Sequence, residues 1–213
     1  MTEAKSIERY LRMAMNNSGD WPCAPFGGRV YHYDRIESTQ TQAKHSAASG
    51  EPEGALFVAR RQSAGYGRKG DAWNSEQGGL WFSVICRPRF GPERAEAFSA
   101  ACAEACRDAF HRRLPEAAFA IKKPNDVLVQ ATDGSWKKVC GLILEGSVQD
   151  GVYEWLVLGV GVNVNNVLPD GLKPIAVTLE EINVRPVERM PLLREVLIEM
   201  ARRYGTFQET KSL

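Results

Sequence analysis

Four β-rich runs follow one another between Ala118 and Val164 with no helical period among them: AFAIK, DVLVQ, WKKVCGLILEGSV and VYEWLVLGVGVNV. The turn TDGS links the second to the third, and QDG links the third to the fourth. Connections this short join antiparallel neighbours, because a parallel return needs a crossover of about a dozen residues or more. The centre of the chain is therefore committed to an antiparallel sheet.

The flanks supply further strands and the helices. VYHYDRI, GALFVARR and LWFSVICRP have strand character. Ser38 or Thr39 can cap a helix over 40–48, and Thr39 with Gln42 fits a capping box. Pro92 suits a first helical turn, and Phe98, Cys102, Ala105 and Ala109 recur at helical spacing, which predicts a buried helix over 93–112. Leu193, Val196, Leu197, Met200 and Tyr204 form the apolar stripe of a C-terminal helix. Strands cluster while helices stand apart, so the class is α+β, a mixed, mainly antiparallel sheet with packed helices. Residues 6–15 read as a short amphipathic helix with Ile7, Tyr10, Leu11 and Met15 on one side, and a linker follows to residue 28. The chain divides into this segment, 1–28, and one domain, 29–213.

Charge and cysteine usage narrow the function. With 27 basic and 26 acidic side chains there is no excess for a broad nucleic-acid surface, and no nucleic-acid partner is expected. The five cysteines form no C-x-x-C pair and fit no closed disulfide framework, and the three histidines have no ligand spacing. The N-terminal residues have no signal-peptide core, and no run reaches the ~18 apolar residues of a membrane span. A cytoplasmic protein without a membrane partner is the expectation.

The chemistry sits in polar interruptions. Gly65-Tyr66-Gly67-Arg68-Lys69-Gly70 matches G-x-G-x-x-G, but it continues into DAWNSEQGG, which has turn composition and no helical period. A dinucleotide fingerprint should open a helix, so that reading fails on context. Two readings remain: a solvated basic loop, or a loop whose backbone N–H groups converge on an anion, with Arg68 and Lys69 at its tip. Lys138 and Asn163 lie inside otherwise apolar strands, where an unpaired buried polar group costs ~1–3 kcal/mol. Lys138 either reaches a site or snorkels to water. Gly159 and Gly161 weaken a strand without adding packing, which marks close approach by a ligand or another backbone.

Taken in order, these segments resemble the catalytic core of the biotin–protein ligases over roughly 29–207. Glu37-Ser38-Thr39-Gln40 resembles D/E-S-T-N, and Gln62 to Gly70 ending at Trp73 resembles Q-x-A-G-R-G-R-x-G followed by Trp. Lys122-Lys123-Pro124-Asn125-Asp126 resembles K-W-P-N-D, and Lys138 to Glu145 resembles K-x-x-G-I-L-x-E. Gly159 to Asn163 resembles G-x-G-x-N, and Ala176-Val177-Thr178-Leu179 a later A-T-S-L-type element. The sequence departs from the pattern at Tyr66, where the family usually has Arg, at Lys123 in place of Trp, and at Gln40 in place of Asn.

The resemblance implies a class II synthetase-like fold and a ligase that forms biotinyl-AMP from biotin and ATP, then passes biotin to a lysine of a biotin carboxyl carrier domain of a carboxylase. It implies Ser38, Thr39, Gln62 and the Gly65–Tyr66–Gly67 backbone at biotin. Arg68, Lys69, Trp73, Asn125, Lys138, Gly161 and Asn163 would then face the nucleotide. It assigns catalysis to Lys138, Arg68, Lys122 and Asp126, with Asp126 also on the side of a Mg²⁺ carried by ATP. It implies a core without the helix-turn-helix or the small C-terminal β-barrel that other members carry. Two alternatives stay open: a lipoate- or octanoate-handling relative, and a non-catalytic binder of biotin or its adenylate. A homodimer is expected if the strand near Val157–Val164 is a sheet edge able to pair with its twin.

Overall fold

The computed structural model describes residues 3–12 and 22–209. A seven-stranded sheet runs in the order β1-β2-β3-β7-β6-β5-β4. Its strands are β1 (Val30–Tyr33), β2 (Leu56–Ala59), β3 (Leu80–Cys86), β4 (Phe119–Lys122), β5 (Asp126–Gln130), β6 (Trp136–Gln149) and β7 (Val152–Val162). Only β1 and β2 pair in parallel, joined through the helix α2 (Thr39–Ala48), and every other neighbour is antiparallel. The four central runs form β4 to β7, with β5, β6 and β7 joined as the TDGS and QDG turns dictate.

The two faces of the sheet differ. Val84 and Cys86 of β3, Leu156, Leu158 and Val160 of β7, and Cys140 and Leu142 of β6 belong to the main core. That core also takes in α3 (Ala95–Arg113) and α5 (Arg189–Glu209). The opposite face carries a smaller cluster of Ala43 and Ala47 from α2 with Phe57, Ile85 and Val157. Alternation along the strands forces this division, and it leaves Ser83, Gly159, Gly161, Gly141 and Ile143 on the α2 side.

Several boundaries and roles differ from expectation. The N-terminal helix α1 spans Glu3–Arg12 and buries Ile7 and Leu11; Met15 lies outside the described residues. Within the stretch read as linker, Cys23 and Phe26 enter the main core, where Phe26 packs on Tyr204 with ring centroids 5.4 Å apart. Ser38 caps α2 by accepting from the Thr41 backbone N–H at 3.3 Å. Thr39 makes no capping box because its hydroxyl turns to Gln62. A true capping box occurs where none was read, with Thr178 and Glu181 starting the short helix α4 (Leu179–Asn183).

The expected edge position of Val157–Val164 is overturned. β7 is hydrogen-bonded to β3 on one side and to β6 on the other, so it has no free edge to offer a second copy. The edges are β1 and β4. The signal was present in the sequence: a run apolar at nearly every position, rather than alternating, belongs to a strand covered on both faces.

Candidate active site

A cavity of about 440 Å³ opens on the α2 side of the sheet. Its floor is β7 and β6 where glycine replaces a side chain. A Cβ on Gly159 would come within 2.4 Å of Gln40 Oε1, and one on Gly161 within 2.5 Å of Trp73 Nε1. The two positions are two residues apart and so roughly 7 Å along the strand. They mark two chemically different ends of the cavity.

At the Gly159 end, buried polar side chains form a connected network. The Gln62 carboxamide oxygen accepts from the Thr39 backbone N–H at 2.7 Å and from its hydroxyl at 3.1 Å. Thr39 Oγ1 lies 3.0 Å from Ser83 Oγ, which donates to Gln40 Oε1 at 3.1 Å. Gln62 Nε2 donates to Ser75 Oγ at 2.8 Å. Hydroxyls and carboxamides keep spare lone pairs or protons after these bonds, so the cluster can still engage a ligand's donors and acceptors.

At the Gly161 end the side chains are aromatic and charged. The Trp73 indole stands over Gly141 and Gly161, its Nε1 buried without a hydrogen-bond partner among the described residues. The Lys138 ammonium sits 4.9 Å from the Trp73 ring centroid and 2.7 Å from Asp126 Oδ1. That oxygen is buried and, among the described residues, accepts no well-angled hydrogen bond, so the neighbouring positive charge is what compensates it. Lys138 reaches this face through an irregularity. Val127 pairs with Cys140 but Leu128 pairs with Lys138, so Val139 is an extra residue bulged from the ladder. In a regular strand Lys138 would share the helix-covered face with Cys140 and Leu142; the bulge turns it to the cavity. Lys137 pairs with buried Val129, faces away, and lies 3.6 Å from Asp133.

The glycine-rich loop and two other segments form the walls. Arg68, exposed at the loop tip, donates to Asn125 Oδ1 at 3.1 Å. Asn125 is fixed in turn by donating to the Leu142 carbonyl at 2.7 Å. Opposite, the stretch before α4 bonds to β6 on both sides of Lys138: the Lys138 N–H donates to Ile175 O at 2.9 Å, and Val177 N–H to Lys138 O at 3.1 Å. This seats Leu168, Leu172, Ile175 and Ala176 on the cavity as an apolar wall.

The biotin/lipoate A/B protein ligase family model matches residues 33–163, which span the floor, the loop and the Lys138–Asp126 pair. The chain belongs to that family. Among curated relatives, it is 32% identical over 188 residues to the bifunctional ligase/repressor BirA of Bacillus subtilis, a match covering 85% of this chain and 55% of that protein. It is 34% identical over 167 residues to the biotin–[acetyl-CoA-carboxylase] ligase of Paracoccus denitrificans, covering 75% and 67%. The chain thus spans about half the length of the BirA relative. Among solved structures, the biotin protein ligase of Aquifex aeolicus in complex with biotin and ATP superposes with a TM-score of 0.73 at 29% identity, covering 86% of this chain and 73% of that one.

Most of the residues that the family resemblance singled out converge here. Ser38, Thr39, Gln62, Tyr66, Gly67, Arg68, Lys69, Trp73, Asn125, Asp126, Lys138, Gly161 and Asn163 all line the cavity. Asn163 is buried, with its side-chain oxygen accepting from Asn166 Nδ2 at 3.3 Å. Two do not line it. Lys122 is exposed at the end of the edge strand β4, so of the two lysines to which catalysis was assigned only Lys138 enters the cavity. Gly65 is a packing glycine: a Cβ there would meet Ser75 Oγ at 2.5 Å and Trp73 O at 2.9 Å. Sequence reading missed Ser83, a hydroxyl in an otherwise apolar strand, and the apolar wall at Leu168, Leu172 and Ile175.

Proposed function

We propose that this chain is the catalytic core of an ATP-dependent biotin–protein ligase. The two-ended cavity carries the reading. Its closed end offers hydroxyls and carboxamides from Thr39, Ser83, Gln40 and Gln62, and its other end offers Trp73, Lys138 and the basic loop tip. A ureido ring brings two N–H donors and one carbonyl acceptor to such a network. A dithiolane or alkyl chain brings none and would leave the network's spare donors and acceptors unused, which favours biotin over lipoate or octanoate. The solved relative from Aquifex aeolicus binds biotin and ATP on the same fold.

In the first step a biotin carboxylate oxygen attacks the α-phosphorus of ATP. The α–β phosphoanhydride bond breaks, pyrophosphate leaves, and biotinyl-AMP forms. Both reactants are anionic, so preorganised positive charge at their meeting point lowers the barrier. Lys138 is held there by Asp126 and the Trp73 face, and Arg68 adds a second charge from the loop tip. The unpartnered Trp73 Nε1 is a donor available to the adenylate. In the second step a neutral lysine amine attacks the carbonyl, the bond from that carbon to the phosphate oxygen breaks, AMP leaves, and the nitrogen gives up one proton to water as the amide forms.

Magnesium would arrive with ATP and offset phosphate charge. One carboxylate, Asp126, fits the usual donor set of a Mg²⁺ held chiefly by substrate phosphates and water. The acceptor is a lysine on the carrier domain of a carboxylase, as the name of the Paracoccus relative suggests. Free, buried cysteines support a reducing compartment, the cytoplasm.

Thermal denaturation with each substrate tests this reading. Biotin and ATP with Mg²⁺ together should raise the melting temperature by more than the sum of their separate shifts, through an intermediate that binds only the folded state. Shifts that merely add at saturation contradict an adenylate-forming site.

A further inference from the structure

We infer that Lys44, Glu145 and Tyr66 form a clasp that holds the glycine-rich loop on the sheet. They would then act as positioning residues for the reaction proposed above. The Tyr66 hydroxyl donates to Glu145 Oε2 at 2.8 Å, and the Lys44 ammonium lies 2.6 Å from Glu145 Oε1. The same ammonium stands 5.7 Å from the centroid of the Tyr66 ring. Three separate elements meet here: the loop through Tyr66, β6 through Glu145 and α2 through Lys44. None of the three side chains is fully exposed, so the contacts are less screened than surface pairs. Burial by itself would push the Glu145 carboxyl up, but the hydrogen bonds from Lys44, Tyr66 and Gln40 outweigh it and hold the carboxyl below its ordinary value.

Tyr66 is the informative member because the family pattern has Arg there. A guanidinium at that position would compete with Lys44 for one carboxylate. A neutral phenol lets hydroxyl and ammonium share it, one on each oxygen. Gln40 connects the clasp to the cavity: its Nε2 donates to the carbonyl of Val157, the β7 residue paired with Glu145, at 3.2 Å, and its Oε1 accepts from the Ser83 hydroxyl. Loop position and the polar end of the cavity are thereby mechanically joined. The neighbouring Arg68–Asn125 contact is exposed and weaker, which leaves Tyr66 as the firmer tether of the loop's first half.

Limited trypsin digestion of the ligand-free protein reads loop opening directly, since Arg68 and Lys69 are exposed cleavage sites in the loop. Tyr66→Phe and Glu145→Ala should each speed cleavage there about tenfold, the factor set by one lost hydrogen bond to a charged acceptor. The double variant should be little faster than either single one, because both remove the same contact. Lys44→Met should also speed cleavage, and Lys44→Arg should restore the wild-type rate. Tyr66→Phe deletes a single oxygen, so it keeps the test valid even if Glu145→Ala folds poorly. Wild-type cleavage rates in Tyr66→Phe and Lys44→Met would overturn the clasp. The KM for biotin should rise in Tyr66→Phe with kcat little changed; an unchanged KM despite faster cleavage would overturn the positioning role. This second arm rests on the ligase reading, whereas the cleavage arm does not. A wild-type protein that forms no adenylate would therefore contradict the ligase reading alone, and the cleavage comparison would still decide on the clasp.

Discussion

Lys138 and Gly141 share one face of β6 although they are three residues apart, because Val139 is bulged out of the β5–β6 ladder. A Cβ on Gly141 would come within 3.0 Å of the Lys138 ammonium. The bulge thus delivers the cation to the one stretch of floor where the strand has no side chain of its own.

Removing Lys138 should therefore cost both rate and stability. Lys138→Ala is expected to slow adenylate formation by ~10²–10³, the usual loss for one preorganised charge. It also leaves Asp126 Oδ1 uncompensated, and stability should fall by about 1 kcal/mol, since both side chains keep some contact with water. Lys138→Ala with Asp126→Asn should recover stability in urea unfolding without recovering rate. Lys137→Ala, on the other face, should match the wild type in rate. Equal loss of rate in the Lys137 and Lys138 variants would show that the strand register is misassigned.

Gly161→Ala should close the nucleotide end of the cavity. The added methyl would lie 2.5 Å from Trp73 Nε1 and 2.6 Å from Trp73 Cε2, so the indole must move. Overpacking of this kind costs ~1–3 kcal/mol. The expected result is a lower melting temperature and loss of ATP-induced stabilisation, with biotin-induced stabilisation largely kept. Wild-type ATP stabilisation in this variant would contradict the placement of the nucleotide.

Acid should loosen the contact between α3 and α5. Burial would raise the Asp108 carboxyl, but Arg107 and Arg203 hold it below its ordinary 3.8. Burial likewise acts upward on Glu199, and Arg203, Arg202 and Arg112 hold it below 4.5. A carboxyl depressed by folding contributes stability that is complete above its unfolded value and is lost as pH falls through the folded one. Urea midpoints should thus hold steady above pH ~4.5 and drop below it. Asp108→Asn with Glu199→Gln should lower the neutral-pH midpoint and flatten the acid decline. An equally steep decline in the double variant would rule out these two groups as its source.

What the sequence could and could not reveal follows from the range of each interaction. Hairpin order from β5 to β7 was legible because TDGS and QDG act locally, and the cap at Ser38 was legible for the same reason. The polar residues that became the cavity were legible as misfits in apolar runs, as with Lys138 within β6 and Asn163, which lies just past the end of β7. The bulge at Val139 was not, since it depends on which residue of β5 faces which of β6. Ser83 was hidden because one hydroxyl in a buried strand has no pattern of its own, and its partners Thr39 and Gln40 lie more than 40 residues away. The role of Glu145 was hidden for the same reason: its partners come from α2 and from the loop.

The reaction proposed for this cavity is formation of an acyl-adenylate. Incubation of the folded chain with ATP, Mg²⁺ and labelled biotin, followed by separation of the products, measures it directly. Labelled biotinyl-AMP is expected from the wild type, and little or none from Lys138→Ala over the same interval. Biotin binding by the wild type without any biotinyl-AMP would contradict it, and would leave a binder of biotin in place of a ligase.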